Sequence, residues 1–311
     1  MSASQTASVP GPASQQDHSR LTSLLEVAEV ARRRIDRLDA ESKLRTYFAG
    51  GLNPLPGSLR YGVASPKIIT FHADNRAGRI LKGGNKSAKT VAGAVDVLLR
   101  ATGHHPWRPW RGAEAIRCVA PELPLGLDIP HPQRDTIMEW CPSHWLRGGS
   151  FETAYSVSGH VIHFVGGSFL EFLSFEQDPQ VHAQERRTVC WFDEEPPKAI
   201  FEENMARLAR GRLLGDWLLT YVPVAGLVWI HDELYRPATE RRRQDVGIHE
   251  VTIWDNAHNL PPGFIEQLAA GMDPERQKVR LYGQYGVREG LVFGVFGQPH
   301  LVESEFSVTV E

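Results

Sequence analysis

Three cysteines among 311 residues, Cys118, Cys141 and Cys190, and no Cys-x-x-Cys pair leave no disulfide framework of the kind that holds a small secreted domain together. Long apolar runs are missing too. None approaches the ~18 residues of a membrane span, and the first residues lack the basic-then-apolar order of a secretory signal. The sequence therefore predicts a soluble protein of a reducing compartment with no membrane association. It also lacks a surplus of positive charge. Its 34 Lys and Arg stand against 37 Asp and Glu, a net charge of −3, so any grip on a polyanion must be local. No Gly-x-Gly-x-x-Gly follows a strand pattern, which removes a dinucleotide fold, and no Asn-Lys-x-Asp stretch is present to read guanine. What remains is ordinary globular stock, 41% hydrophobic and 23% charged, enough for a core and too mixed for a coiled coil or collagen.

Residues 1–20 are predicted as a disordered tail, because Ser, Ala, Gln, Pro and Gly dominate there and apolar bulk is too scarce to offset the entropy of ordering. Residues 21–60 read as an N-terminal helix and a connection. Leu24, Leu25, Val27, Ala28 and Ala31 recur at helical spacing opposite Arg32, Arg33, Arg34 and Arg37, until Pro54 and Pro56 interrupt the pattern. From Tyr61 to about 290, short apolar runs alternate with helical patterns. Arg79-Ile80-Leu81, Ile116–Ala120, Thr188–Phe192 and Trp217–Val222 read as strands; Thr90–Arg100 and Ala199–Ala209 read as helices. Such alternation marks an α/β fold. Val161–Val165 and Phe169–Phe175 around Gly166-Gly167 read as a hairpin, and Pro121–Pro142 as a surface excursion. Pro261-Pro262 reads as a helix start.

The strongest local signal is Gly83-Gly84-Asn85-Lys86-Ser87-Ala88-Lys89-Thr90, which follows a strand and opens a helix. It has the frame of a phosphate loop, in which backbone amides and a helix N-terminus cradle phosphates. In that reading Lys89 reaches the β and γ phosphates of ATP, and Thr90 places its hydroxyl on Mg²⁺. Ala88 stands where the frame has its second glycine. A second element lies roughly a hundred residues further on, where the apolar strand Val189-Cys190-Trp191-Phe192 ends in Asp193-Glu194-Glu195. A carboxylate at the tip of a buried strand beside a phosphate loop can hold the metal's water shell, and the next can orient the attacking water. Asp193 is thus the metal-shell candidate and Glu194 the catalytic base, with Lys89. A solvated acidic loop is the bland alternative.

Other patterns compete less well. Cys141-x-x-His144 and His160-x-x-His163 have zinc-like pair spacing, yet His160 and His163 lie three apart in a predicted strand and so face opposite sides. His104-His105 and His131 sit among prolines and read as surface residues. Arg108-Pro109-Trp110-Arg111, Arg186-Arg187 and Arg241-Arg242-Arg243 are candidates for nucleic-acid phosphate contacts. Arg207, Arg210 and Arg212 fit surface ion pairing as well as any role in phosphoryl transfer.

Taken together, these residues resemble the large terminase subunit of tailed bacteriophages. The resemblance is carried by Phe71-His72, by the loop Gly83–Thr90 and by Val189–Pro197. It continues through Leu218-Leu219-Thr220-Tyr221-Val222-Pro223, Asp255–Pro262 and Tyr282-Gly283-Gln284-Tyr285 to Glu289-Gly290-Leu291. It spans about Tyr61 to Phe296. It implies a P-loop NTPase of the additional-strand, catalytic-glutamate type, with a mostly parallel central sheet flanked by helices and a C-terminal helical lid within 61–290. The implied activity is ATP-driven translocation of double-stranded DNA by a homo-oligomeric ring, working with the portal protein and the small terminase subunit. The implied place is the cytoplasm of an infected bacterial host, transiently at the procapsid portal. Glu194 matches the family's catalytic glutamate and Asp193 its Mg²⁺ aspartate, while Thr220 falls in the coupling segment, where Val222 replaces a second threonine. Residues 291–311 are expected to begin a linker toward a nuclease domain, and no nuclease activity is expected of this chain. A helicase or remodelling ATPase, or a non-hydrolysing terminase and portal scaffold, are the alternatives.

Overall fold

The computed structural model describes residues 42–48, 63–123, 128–210, 213–224 and 228–286. The predicted tail, most of the predicted N-terminal helix and connection, and residues 291–311 lie outside the described residues. In chain order come α1 (Ser42–Phe48), α2 (Pro66–Ala73), β1 (Gly78–Gly83), α3 (Lys89–Thr102), β2 (Ala115–Ala120), α4 (Pro132–Trp140), β3 (Tyr155–Ser156), β4 (Val161–His163) and β5 (Phe169–Ser174). They are followed by β6 (Val189–Asp193), α5 (Lys198–Arg207), the short hairpin β7 (Ala209–Arg210) and β8 (Leu213–Leu214), β9 (Asp216–Tyr221), β10 (Val246–Val251), α6 (Phe264–Ala270) and α7 (Pro274–Arg280).

An eight-stranded sheet runs in the order β10-β1-β9-β6-β2-β5-β4-β3. The strands from β10 to β5 are parallel, and β4 and β3 form an antiparallel edge. Parallel strands need helical crossovers on both faces, so their side chains are buried on both sides. All five residues of β6 are buried accordingly. Alternate residues feed two cores. Leu81, Val189, Trp191 and Leu218 pack toward α3, whereas Ile80, Cys190, Phe192 and Leu219 pack toward α5. Gly93 lets α3 approach closely, since a Cβ there would lie 2.3 Å from the Trp191 ring. A third, smaller cluster of Ile253, Ile265 and Leu281 holds the C-terminal helices together.

The fold corrects three expectations. Pro121–Pro142 is not wholly a surface excursion, because its second half forms α4, which buries Ile137 and Trp140. Pro132 occupies the first turn and the His131 ring accepts a hydrogen bond from the Arg134 amide, so the proline opens a helix instead of breaking one. His131 is therefore buried, with its Nε2 bonded to the Glu122 carbonyl. His105 is buried as well, and His104 stacks on Trp145 with ring centroids 4.4 Å apart.

His105 belongs to a buried polar cluster that joins α1, α2, β1 and α3. Asp96 of α3 accepts from Arg79 of β1 through both oxygens, Nη1–Oδ2 at 2.7 Å and Nη2–Oδ1 at 2.9 Å. The same carboxylate meets His72 Nδ1 at 3.0 Å and His105 Nε2 at 3.2 Å. His72 Nε2 lies 2.9 Å from the Tyr47 hydroxyl, and His105 Nδ1 accepts from the Trp107 amide at 3.3 Å. Each ring can satisfy both contacts as a neutral imidazole donating to Asp96. Burial holds both histidines below their ordinary pKa, His105 at about 3. Among the described residues, His72, Asp96 and His105 form the one cluster with metal-ligand spacing. The Arg79 guanidinium already supplies the positive charge there, so the cluster reads as structural.

Two outcomes follow from this cluster. Arg79→Ala leaves Asp96 buried and uncompensated, and should cost about 3–5 kcal/mol in a denaturant unfolding experiment. Acid should also weaken the fold. Unfolded chains protonate His105 near pH 6.5, whereas the folded state resists to about 3, so its contribution is complete above 6.5 and is lost as pH falls below it. Lowering the pH from 6.5 to 5 should remove about 2 kcal/mol for that residue, and His105→Gln should flatten the slope of stability against pH between 7 and 5.

Candidate functional site

The sheet delivers the sequence-predicted residues to one edge. β1 ends at Gly83 beside Val251, the last residue of β10. On the other side β9 pairs with β6 so that Thr220 is in register with Asp193. The Gly-rich segment leaves β1 at this carboxyl edge and turns into α3, with Lys86 and Ala88 in the left-handed region at φ 56° and 66°. Gly84 donates to the Val251 carbonyl at 3.2 Å and Asn85 to the Arg280 carbonyl at 2.5 Å. Gly84 has to be glycine, since a Cβ would lie 2.1 Å from the Leu281 carbonyl oxygen. Ser87 Oγ donates to the Gly84 carbonyl at 2.7 Å, closing the loop on itself. The 14-residue helix α3 begins with no side-chain cap, so its first-turn amides and dipole face the loop without a built-in acceptor.

Lys89 is buried and bends back across the loop, its Nζ 2.6 Å from the Gly84 carbonyl and 3.3 Å from Ser87 Oγ. Burial lowers its pKa to about 8, against the attraction of Glu194 and Asp193. Asp193 is joined to both neighbouring elements. Thr90 Oγ1 donates to Oδ2 at 3.1 Å and Thr220 Oγ1 to Oδ1 at 2.6 Å. Trp191 Nε1 in turn donates to Thr220 Oγ1 at 2.8 Å, so indole, hydroxyl and carboxylate form a directed chain. Burial pushes Asp193 up to about 7, even though the two hydroxyls favour its charged form. Glu194 sits at φ 74°, a strained conformation for a residue with a side chain. Its carboxylate accepts from the Val222 amide at 3.2 Å, and burial raises its pKa.

The structure therefore brings Lys89, Thr90, Asp193, Glu194 and Thr220 together across three strand ends. Whether an Mg²⁺ ion fits can be judged from Asp193. Its buried carboxylate, beside a second acid and a threonine hydroxyl, is an oxygen donor set short of positive charge, which suits a hard divalent cation.

Several residues around the loop had no role in the sequence reading. Lys82, just before the loop, is buried, pairs with Glu250 at 2.7 Å, donates to the Gly283 carbonyl and lies 4.9 Å from the centroids of the Tyr235 and Tyr285 rings. A lone lysine within an apolar strand was the signal for it. Asn256 donates to the Lys86 carbonyl at 2.7 Å. The Tyr221 hydroxyl meets that of Tyr285 at 2.5 Å.

The remaining candidates lie elsewhere. Cys141, His144, His160 and His163 do not assemble into a metal-ligating group among the described residues. Of the proposed phosphate-contacting arginines, Arg187 turns inward onto Glu171 at 2.7 Å, and Arg242 and Arg243 pair with Glu240 and Asp245. Arg108 bonds the Asp74 carbonyl and lies 3.3 Å from Asp216. Arg207 forms an i,i+4 pair with Glu203. A cleft of about 290 Å³ lined by Arg100, Arg108, Trp110, Arg111 and Asp216 opens at the amino end of β9, the edge opposite the loop.

Among the comparisons with known proteins, those with solved structures bear on the fold. No family model and no curated protein matches the sequence. In three dimensions the chain is similar to the large terminase of a thermophilic bacteriophage, with a TM-score of 0.55, 13% identity and coverage of 84% of this chain and 57% of that one. The same phage's large terminase in complex with ADP aligns with a TM-score of 0.53, 13% identity and coverage of 75% and 56%. The large terminase ATPase domain of Thermus phage P74-26 aligns with a TM-score of 0.50 and 13% identity, over 73% of this chain and 96% of that domain. The chain thus spans little more than half of the first of these terminases. The eight-stranded, mostly parallel sheet flanked by helices is similar to the fold of these phage large terminases, and the resemblance holds at the level of the fold. No helix among the described residues is long and apolar enough to cross a membrane.

Ala88 provides a test of the loop geometry. Its left-handed backbone costs about 1–2 kcal/mol, of which Gly would return part to a more flexible unfolded chain. Ala88→Gly should raise the unfolding free energy by about 0.5–1 kcal/mol, measured by urea denaturation.

Proposed function

We propose that this chain is the ATPase part of a large-terminase DNA-packaging motor, hydrolysing ATP to move double-stranded DNA. The observation that carries the reading is the convergence of Lys89, Asp193 and Glu194 on one uncapped helix start. In this reading residues 83–90 wrap the phosphates, and Lys89 exchanges its bonds to Gly84 and Ser87 for the β and γ phosphate oxygens. Asp193 and Thr90 hold the Mg²⁺, which neutralises charge on the triphosphate when bound. Glu194 orients the attacking water and takes its proton. Burial raises its pKa toward the range useful to a base, and its strained backbone directs the carboxylate back to the site. Thr220 is the coupling residue: one hydroxyl links Asp193 to Trp191, and Trp191 packs against α3 through Gly93.

The wider assignment extends the same reading. The unit 61–290 is the motor core and 264–280 its helical lid. The partners are DNA, the portal protein, the small terminase subunit and other copies in a ring. The setting is the cytoplasm of an infected host, at the procapsid portal.

Turnover of Mg-ATP with and without double-stranded DNA tests the proposal. Glu194→Gln should lower kcat by about 10²–10⁴-fold while retaining nucleotide binding, and Lys89→Ala should lose binding. A non-hydrolysing scaffold would show no turnover in the wild type, and strand separation would mark a helicase.

A further inference from the structure

Trp254 and Tyr282 stack on each other with ring centroids 4.4 Å apart and an interplanar angle of 30°. They are 42% and 43% exposed. Two large aromatic rings paired but left this open are not explained by core packing, which would bury them. Their backbone positions tie both rings to the phosphate loop. Trp254 follows β10, which ends level with Gly83, and Asn256, two residues further on, donates to the Lys86 carbonyl at 2.7 Å. Tyr282 lies between Leu281, whose carbonyl oxygen crowds Gly84, and Gly283, where an added Cβ would fall 2.4 Å from Gly83. The Arg280 carbonyl accepts from the Asn85 amide. The platform thus hangs from two segments fastened directly to residues 83–86.

We infer that the Trp254–Tyr282 pair is the stacking platform for the planar base of the nucleotide whose phosphates the loop takes. This rests on the reading of residues 83–90 as a nucleotide site and adds how the rest of the nucleotide is held. A purine presents a broad π face that gains from an aromatic surface without needing edge hydrogen bonds. The carboxylate of Asp255, next to Trp254 in sequence, is paired with Lys67 Nζ at 2.9 Å. Stacking of this kind contributes about tenfold or more to affinity.

The full chain should be titrated calorimetrically with Mg-ATP and with magnesium tripolyphosphate, which has the phosphates and no base. Wild type should bind ATP about tenfold more tightly than tripolyphosphate. Trp254→Ala should erase most of that margin with tripolyphosphate affinity unchanged, and Trp254→Phe should keep most of it. Tryptophan fluorescence should be quenched by ATP in the wild type, and this component should vanish in Trp254→Phe although seven of the eight tryptophans remain. Equal ATP affinity in wild type and Trp254→Ala overturns the platform alone. Loss of both probes together in Trp254→Ala also overturns it, since it assigns Trp254 a role in shaping the loop. Failure of wild type to bind either probe overturns the nucleotide-site reading and the platform with it.

Discussion

The fold around the glycine-rich loop at 83–90 depends on one buried ion pair. Arg79 stands in the strand that enters the loop and Asp96 in the helix that leaves it, so their bidentate contact fixes the loop's two flanks relative to each other. A loop rich in glycine and left-handed residues cannot hold its own shape. It is shaped by what its ends are fastened to. The two neutral histidines donate to the Asp96 carboxylate, Tyr47 bonds His72, and the Phe71 carbonyl accepts from Arg79, which leaves Arg79 Nε as a buried donor with no partner among the described residues.

From that strap the site grows by strand adjacency. β1 borders β9, and β9 borders β6, so an ammonium from one end of the chain and two acids from its middle meet over the same edge. Burial does the electrostatic work at this edge. It pushes Asp193 up to about 7 and Lys89 down to about 8, each against the partner's opposite charge. Groups held so far from their ordinary pKa values respond strongly to any added charge. A triphosphate and a divalent cation are the charges such an edge would balance.

The C-terminal segment is bound to the same loop from the other side. Arg280, Leu281 and Gly283 contact Gly83, Gly84 and Asn85 through backbone atoms, and the buried Lys82 reaches Gly283 and the rings of Tyr235 and Tyr285. Movement of the helices that follow β10 would therefore be felt directly by the loop. That arrangement gives a physical route between the loop at 83–90 and the flanking helices, separate from the Thr220 contacts with Trp191 and Asp193.

Local pattern determined much of this by itself. The apolar runs of β1, β2, β6 and β9, the loop at 83–90 and the acids at 193–194 could be read in order, because buried parallel strands and glycine-rich turns leave contiguous signals. Pro132, His105 and His131 were misread, because proline and histidine carry no sign of whether they cap a helix, sit in a core or face water. Asp96 and Arg79 gave no sequence signal as a pair, since only the crossover of α3 against β1 brings them into contact. The same holds for Thr220 with Trp191, for Asn256 with Lys86 and for the stacking of Trp254 on Tyr282. Sequence fixes which groups can donate, accept or carry charge; tertiary structure decided which of them lose water together, and burial is what turns those contacts into a site.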